Sequence, residues 1–193
     1  MAKKLYLIRH GQAAVPKGLF IGSTDVEADE KKLGRVDRLV SMLPGEGRCY
    51  CSPLLRARQT VERLQQAGMS FNPVFENRFC EIDFGRWEMR TFQDIAGQDA
   101  DLLDSWAAYD DFIFPGGEAV ADFTARVSDI YTVMKEDEND NIIAVTHGGV
   151  IRTMICVALG LPVRNYLLFD VKAAGLSILD LHSMGAVLAG FNL

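Results

Sequence analysis

The sequence has no uninterrupted apolar run near the roughly 20 residues that cross a bilayer. Met1-Ala2-Lys3-Lys4 leads straight into a strand-like stretch, with no apolar leader core and no small-residue cleavage site. Neither a membrane partner nor a signal peptide is expected. Basic charge is in deficit: 20 Lys and Arg stand against 26 Asp and Glu, a formal net charge of −6. Nucleic-acid binders carry a basic patch and usually a basic pI, so that class of partner drops out. The four cysteines, Cys49, Cys51, Cys80 and Cys156, include no CxxC pair and no framework spacing. Reduced thiols in a cytoplasmic protein follow. Repeats and low-complexity tracts are missing too, and an apolar share of 49% is ordinary for a globular domain. A domain of 193 residues buries roughly 70% of its unfolded surface, so stability requires neither a disulfide nor a metal.

What is present reads as alternating strands and helices. Lys4 to Arg9 is an apolar strand with a turn signal at Gly11, and Arg48 to Cys51 is a second. Ser52-Pro53 follows as an N-cap with proline at the first helical position, opening a helix from Leu54 to Gln66 that Gly68 closes. Glu118 to Lys135 has helical periodicity, and Asn141 to Val145 is a third strand. Thr146-His147-Gly148-Gly149 then opens an apolar helix ending near Gly160. Leu176 to Asp180 and Ala186 to Ala189 form a hairpin around Ser183-Met184-Gly185. The pattern predicts an α/β fold of three layers, with a mostly parallel central sheet flanked by helices. The whole of 1–193 is expected to form one domain, with a small cap-like insertion at about 76–117.

In such sheets, ligands lie beyond the carboxyl ends of the strands. Three polar clusters fall there: Arg9-His10-Gly11, Ser52 to Arg58, and Thr146 to Gly149. Only three histidines occur, and two of them share one context, apolar strand then histidine then glycine. The third, His182, reads as a surface residue of the hairpin, and Arg152 and Arg164 as structural or peripheral. Two imidazoles beside Arg9, Arg56 and Arg58 make a compact cationic pocket. Guanidinium forks match phosphate oxygens bidentately and keep their charge at any relevant pH. No metal cage is offered at these strand ends, so arginine would supply the neutralisation that Mg²⁺ supplies in many phosphoryl transfers. Histidine is a competent nucleophile toward phosphorus when one ring nitrogen is held protonated and the other bare. A carbonyl of the Arg9-His10-Gly11 turn can hold it so. Cysteine-based phosphatase chemistry fits poorly. Cys51 and Arg56 are separated by four residues rather than five, and one of them is Pro53.

These residues also carry a resemblance. Leu7-Ile8-Arg9-His10-Gly11-Gln12 resembles the signature of the histidine phosphatase superfamily, the phosphoglycerate mutase-like proteins. Cys51 to Thr60 is similar to that family's second motif, Glu81-Ile82-Asp83-Phe84-Gly85-Arg86-Trp87-Glu88 to its acid-bearing loop, and Thr146 to Arg152 to its last. Gly116-Gly117-Glu118 fits the segment before its long helix. The motifs keep the family's order over nearly the whole chain.

The resemblance implies a metal-independent phosphomonoester hydrolase with no cofactor. His10 would be the nucleophile, Arg9, Arg56 and His147 would bind phosphoryl oxygens, and Glu81 would be the general acid and base. Glu76, Asp83 and Glu88 lie close to Glu81 in sequence, and only the motif match selects it. Gly11, Gln12, Ser23, Gly148 and Arg58 complete the expected substrate-binding set. Two departures stand out: Gln12 replaces a usual glutamate, and Pro16 replaces a usual phosphate-contacting asparagine. Mutases of the family are longer and shield the phosphohistidine from water, so hydrolysis is expected here. Phe84 to Arg90, with Asp94 and Trp106, is similar to the α-ribazole phosphatases of cobalamin assembly, and aromatic residues near the pocket can stack on a benzimidazole-type ring. Trp87 and Trp106 read equally as packing residues. Sugar phosphates such as fructose bisphosphates, broad specificity, a mutase, or a non-catalytic phospho-ligand module are the alternatives. The expected partner is a small phosphorylated metabolite, and the chain is expected to be a monomer or homodimer.

Overall fold

The computed structural model describes residues 3–106 and 111–193. Strand β1 (Lys3–Arg9) is followed by a short helix α1 (Glu30–Leu33), a 3₁₀ stretch (Gly34–Met42), β2 (Arg48–Cys51) and α2 (Leu55–Gln66). After β3 (Pro73–Phe75), the chain forms 3₁₀ turns at Asn77–Phe79 and Gly85–Trp87, then α3 (Phe92–Gln98) and α4 (Ala100–Trp106). It ends with α5 (Val120–Glu136), β4 (Asn141–Thr146), α6 (Gly148–Ala158), a 3₁₀ stretch (Val163–Leu168), and the hairpin β5 (Leu176–His182) and β6 (Gly185–Gly190).

The sheet order is β3-β2-β4-β1-β5-β6. The first four strands of that order run parallel, and β5 is antiparallel to both of its neighbours, β1 and β6. Five of the six strands share one direction and only β5 is reversed, so the sheet is mostly parallel as expected.

Period-two alternation sends neighbouring side chains to opposite faces, and each central strand feeds two cores. Leu5 and Leu7 of β1, with Ile142 and Ala144 of β4, pack with α5 and α6 residues such as Phe123, Val127, Ile151 and Ile155. Tyr6 and Ile8, with Ile143 and Val145, pack on the other face with Val36, Leu39, Ala57, Val61 and Leu64. Burial on both faces explains why β1 and β4 read as continuous apolar runs. The two cores are the glue of the three layers.

One expectation fails at α2. Its N-cap is Leu54, and no side chain caps it. Ser52 lies two residues earlier, where its hydroxyl serves another partner.

Candidate active site

Register places the site. β1 and β4 are parallel neighbours with Arg9 opposite Thr146, and β2 and β4 are parallel neighbours with Cys51 opposite Val145. The residues that leave these three strands, His10, His147 and Ser52, therefore emerge at one rim. Backbone bonds carry the alignment one step past the strands: the His10 amide donates to the Thr146 carbonyl at 2.9 Å, and the Ser52 amide to the Val145 carbonyl at 2.9 Å. The imidazole centroids of His10 and His147 stand 4.9 Å apart.

His10 is 6% exposed. Its Nδ1 lies 2.6 Å from the carbonyl oxygen of Gly11. A carbonyl accepts only, so Nδ1 carries the proton and Nε2 keeps its lone pair. That lone pair accepts from Arg56 Nε at 3.2 Å. Burial first, then the charges of Arg56 and Arg9, hold the imidazole well below its ordinary range and so keep it neutral.

Arg56 is 1% exposed. Its Nη1 donates to the Thr24 carbonyl at 2.9 Å and its Nη2 to the Gly22 carbonyl at 2.7 Å. A guanidinium has five N–H groups, so two remain for a ligand. Arg9 is anchored by one bond, Nη1 to the Val171 carbonyl at 2.6 Å, and its buried Nε has no partner among the described residues. Such a set can neutralise an oxyanion in a site largely withdrawn from water.

Among the neighbouring acids, geometry separates one. Glu76 is paired with Arg78 at 2.8 Å, and Asp83 Oδ1 accepts from the Gly85 amide at 2.8 Å. Glu88 accepts from the amides of Gly22, Ser23 and Phe84 and from the Thr24 hydroxyl. Glu81 instead lines the cavity that holds His10 and Arg56. Its Oε2 accepts from the Gly149 amide at 2.8 Å, in the first turn of α6. A β-carbon on residue 149 would stand 2.4 Å from Glu81 Oε1, so only glycine admits the carboxylate there.

Two cavities meet at this point. One of about 280 Å³ is lined by Arg9, His10, Gln12, Pro16, Arg56 and Glu81 among others. The other, about 300 Å³, shares Arg9, Leu19, Ile21 and Glu81 and is walled by Phe20, Phe84, Trp106, Phe114 and Tyr166. Gly148 and Arg152 also line it. A larger cleft of about 570 Å³ lies away from the site, between α1 and α2, where Glu30, Lys31, Glu62 and Arg63 mix their charges. No imidazole lines it, and its one contribution from the motifs is Gln59.

Three expected substrate-binding residues take other roles. Arg58 is exposed, because two residues along a helix turn its side chain by roughly 200° from Arg56. The Gly11 amide is spent on Thr60 Oγ1 at 2.9 Å, and the contribution of Gly11 is its carbonyl to His10. Ser23 gives its amide to Glu88 at 2.9 Å, which ties down the loop that anchors Arg56. Trp87 is fully buried, with its Nε1 donating to Asp99 at 2.8 Å, and it is a packing residue. Cys51 is also buried, and burial pushes its thiol far up, away from nucleophilic use. His182 is exposed as expected. The sequence reading missed Arg126 and Thr60 as parts of the site, and took Ser52, within its second polar cluster, for a helix cap. Arg126 pairs with Glu118 at 2.6 Å and donates to the carbonyls of Arg78, Cys80 and Glu81. No local pattern signals a bond of that separation.

No group of three or more His, Cys, Asp or Glu side chains among the described residues is placed to hold a metal ion. Likewise, no described helix is long and apolar enough to cross a membrane.

A parallel-sheet rim carrying two neutral imidazoles, one buried and one half-buried guanidinium group and one carboxylate defines a phosphoryl-handling α/β protein. Residues 5–193 match the model of the histidine phosphatase superfamily, branch 1, and the chain belongs to that family as a histidine-dependent phosphatase. Among curated relatives it is 29% identical to the adenosylcobalamin/α-ribazole phosphatase of Salmonella typhimurium, covering 98% of this chain and 96% of the relative. It is 26% identical to phosphoserine phosphatase 1 of Hydrogenobacter thermophilus, covering 98% and 92%. The crystal structure of the α-ribazole phosphatase from Shigella flexneri superposes with a TM-score of 0.86 at 26% identity, covering 98% of this chain and 96% of that one.

Proposed function

We propose that the chain hydrolyses a small phosphate monoester through a phosphohistidine on His10, with α-ribazole 5′-phosphate as the favoured substrate. His10 Nε2 attacks phosphorus and the P–O ester bond breaks. Glu81 gives a proton to the departing oxygen, and Arg9, Arg56 and His147 hold the other phosphoryl oxygens. The Glu81 carboxylate then takes a proton from water, whose oxygen attacks phosphorus. The N–P bond breaks, releasing inorganic phosphate and the free imidazole. Gln12 lines the phosphoryl cavity beside His10. Gly148 packs its bare Cα against the Arg9 guanidinium, where a β-carbon would be 3.3 Å from it.

The observation that carries this reading is the state of His10: Nδ1 is bonded to a carbonyl, and a bare Nε2 faces Arg56 at 3.2 Å. The leaving group occupies the aromatic cavity, whose Phe20, Trp106 and Phe114 rings suit a flat benzimidazole-type base. The described residues of segment 76–117 form no strand and provide Glu81, Phe84, Trp106 and Phe114, so that the segment acts as the cap over that cavity. The same cavity holds Arg152, whose Nε is fixed to the Phe169 carbonyl at 2.7 Å. A guanidinium there favours phosphoserine as the second reading, through its carboxylate.

The test is turnover of a panel containing α-ribazole 5′-phosphate, phosphoserine, fructose 2,6-bisphosphate, phosphoglycerates and an aryl phosphate. The expected result is the highest kcat/KM for α-ribazole 5′-phosphate, undiminished by EDTA, with labelled phosphate trapped on wild type and not on His10→Ala. Release of phosphate by His10→Ala at the wild-type rate would overturn the mechanism. A tenfold preference for phosphoserine would overturn the substrate.

A further inference from the structure

Ser52 and His147 are both 0% exposed, and no solvent satisfies what they leave open. His147 Nε2 lies 2.7 Å from Ser52 Oγ, whereas its Nδ1 has no partner among the described residues. Burial first, then the neighbouring His10, Arg56 and Arg9, hold this imidazole well below its ordinary range, so it is neutral and carries one N–H. Which nitrogen carries it decides whether the ring offers an oxyanion a donor or a lone pair.

The Ser52 hydroxyl settles the choice by counting. Its oxygen already accepts from the Leu54 amide at 3.3 Å. Its own hydrogen needs an acceptor, because a buried donor left unpaired costs about 1–3 kcal/mol. The Cys80 thiol also lies beside it, kept protonated by burial, and sulfur is a weak acceptor. If Nε2 held the proton, Ser52 would receive two N–H bonds and have only sulfur for its own hydrogen. The bare Nδ1 would then leave the ring, 4.9 Å from His10, with a lone pair and no donor to give a phosphoryl oxygen. With the proton on Nδ1, Ser52 donates to Nε2, and the unpartnered nitrogen becomes a donor.

We propose that Ser52 is a positioning residue that fixes His147 in its Nδ1-protonated form, so that a neutral imidazole donates to the phosphoryl group carried by His10. The arrangement mirrors that of His10, whose tautomer is set by the Gly11 carbonyl: one ring is prepared as acceptor and nucleophile, its neighbour as donor. The inference rests on the phosphohistidine reading above. It also accounts for a serine that precedes α2 without capping it.

The experiment is ¹⁵N NMR of the histidine side chains in the full chain, which has only three histidines. Ring signals are assigned with His182→Gln and His10→Ala, and titrations with inorganic phosphate are run in parallel. The expected result in wild type is a protonated-type Nδ1 and a bare-type Nε2 for His147. In Ser52→Ala, that ring is expected to move toward the other tautomer, with phosphate affinity reduced and kcat/KM falling about 10²- to 10³-fold, the scale of one lost oxyanion donor. Ser52→Thr, which keeps the hydroxyl, should restore the wild-type tautomer. A bare Nδ1 on His147 in wild type would overturn the proposal with no variant needed. An unchanged tautomer in folded Ser52→Ala would overturn it as well. The tautomer is read without turnover, so a failure of the substrate assignment leaves this result legible.

Discussion

Glu81 has a carboxylate steered by two backbone amides, from Gly149 at 2.8 Å and from Ile82 at 3.2 Å. It opens onto both cavities. An amide in its place keeps the shape and loses the exchangeable proton. Glu81→Gln is therefore expected to lower kcat by about 10²- to 10⁴-fold, with the fall smallest for aryl phosphates whose leaving oxygen needs no proton. Steady-state kinetics on an alkyl and an aryl ester check this; equal losses on both would move the acid elsewhere. Glu88 is a carboxylate of the same loop with a different task, as its four donors show. Identity of residue type thus says little about role here; the bonds each oxygen already makes say more.

At the scale of elements, the site is assembled from segments that are themselves tied down in pairs. The 22–24 stretch gives two carbonyls to Arg56 and receives Glu88 from the acid-bearing loop. A β-carbon on Gly22 would lie 2.0 Å from the Ile82 carbonyl and 2.4 Å from Glu88 Oε1. Gly22→Ala must push these segments apart. The expected cost is about 1–3 kcal/mol of stability, with a weaker hold on Arg56; urea denaturation and phosphate affinity, measured together, should both decline.

Arg126 plays the corresponding part on α5. It spends its donors on Glu118 and on three carbonyls at residues 78 to 81. Arg126→Met leaves those carbonyls open and frees the loop to drift. A displacement on the order of 1 Å is enough to cost about 10²-fold in rate. The expected signature is a fall in kcat with phosphate affinity nearly kept, since Arg9, Arg56 and His147 sit on other elements. Loss of affinity in step with kcat would contradict it.

Across the whole molecule, two histidines are buried neutral at one rim of a two-core sheet. Both titrate well below 6.5 in the folded chain because of burial and nearby positive charge. Below about pH 6.5 the unfolded chain takes up protons at these rings and the native chain does not, so stability rises with pH in that window and is lost as pH falls through it. Each histidine contributes about 1.4 kcal/mol per pH unit there, and nothing above it. Denaturation midpoints are expected to be flat from about pH 7 to 8, in line with that scale, and to fall below pH 6.5. The fall should be shallower in His10→Ala. Midpoints level down to about pH 5 would refute the burial of neutral rings.

The periodicities of β1, β4, α5, α6 and the β5–β6 hairpin were legible, because a sustained apolar pattern at period two or near 3.6 arises from little besides a strand or helix with a buried face. β3 was not legible: it has three residues and begins with Pro73, and an edge position is what tolerates that proline. The helical segments at 30–42 and 92–106 were passed over, although Val36, Leu39, Val40 and Leu43 recur at helical spacing on one buried face. They are short or 3₁₀ and take their order from packing on other segments. The strand-end histidines and Arg56 were readable because glycine and the end of an apolar run mark where a parallel sheet opens.

Sequence alone determined the layers, the rim that carries the chemistry, and the residue types gathered there, since each depends on local pattern and chain order. Only the tertiary structure decided which carboxylate faces the cavity, that Arg58 turns outward, and that Ser52 serves His147 in place of its helix. Hydrogen bonds join partners 49, 68 and 95 residues apart, in Gly11 to Thr60, Glu81 to Gly149 and Ser52 to His147. Such pairings are set by three-dimensional closure of the sheet, and no stretch of local sequence contains both ends of them.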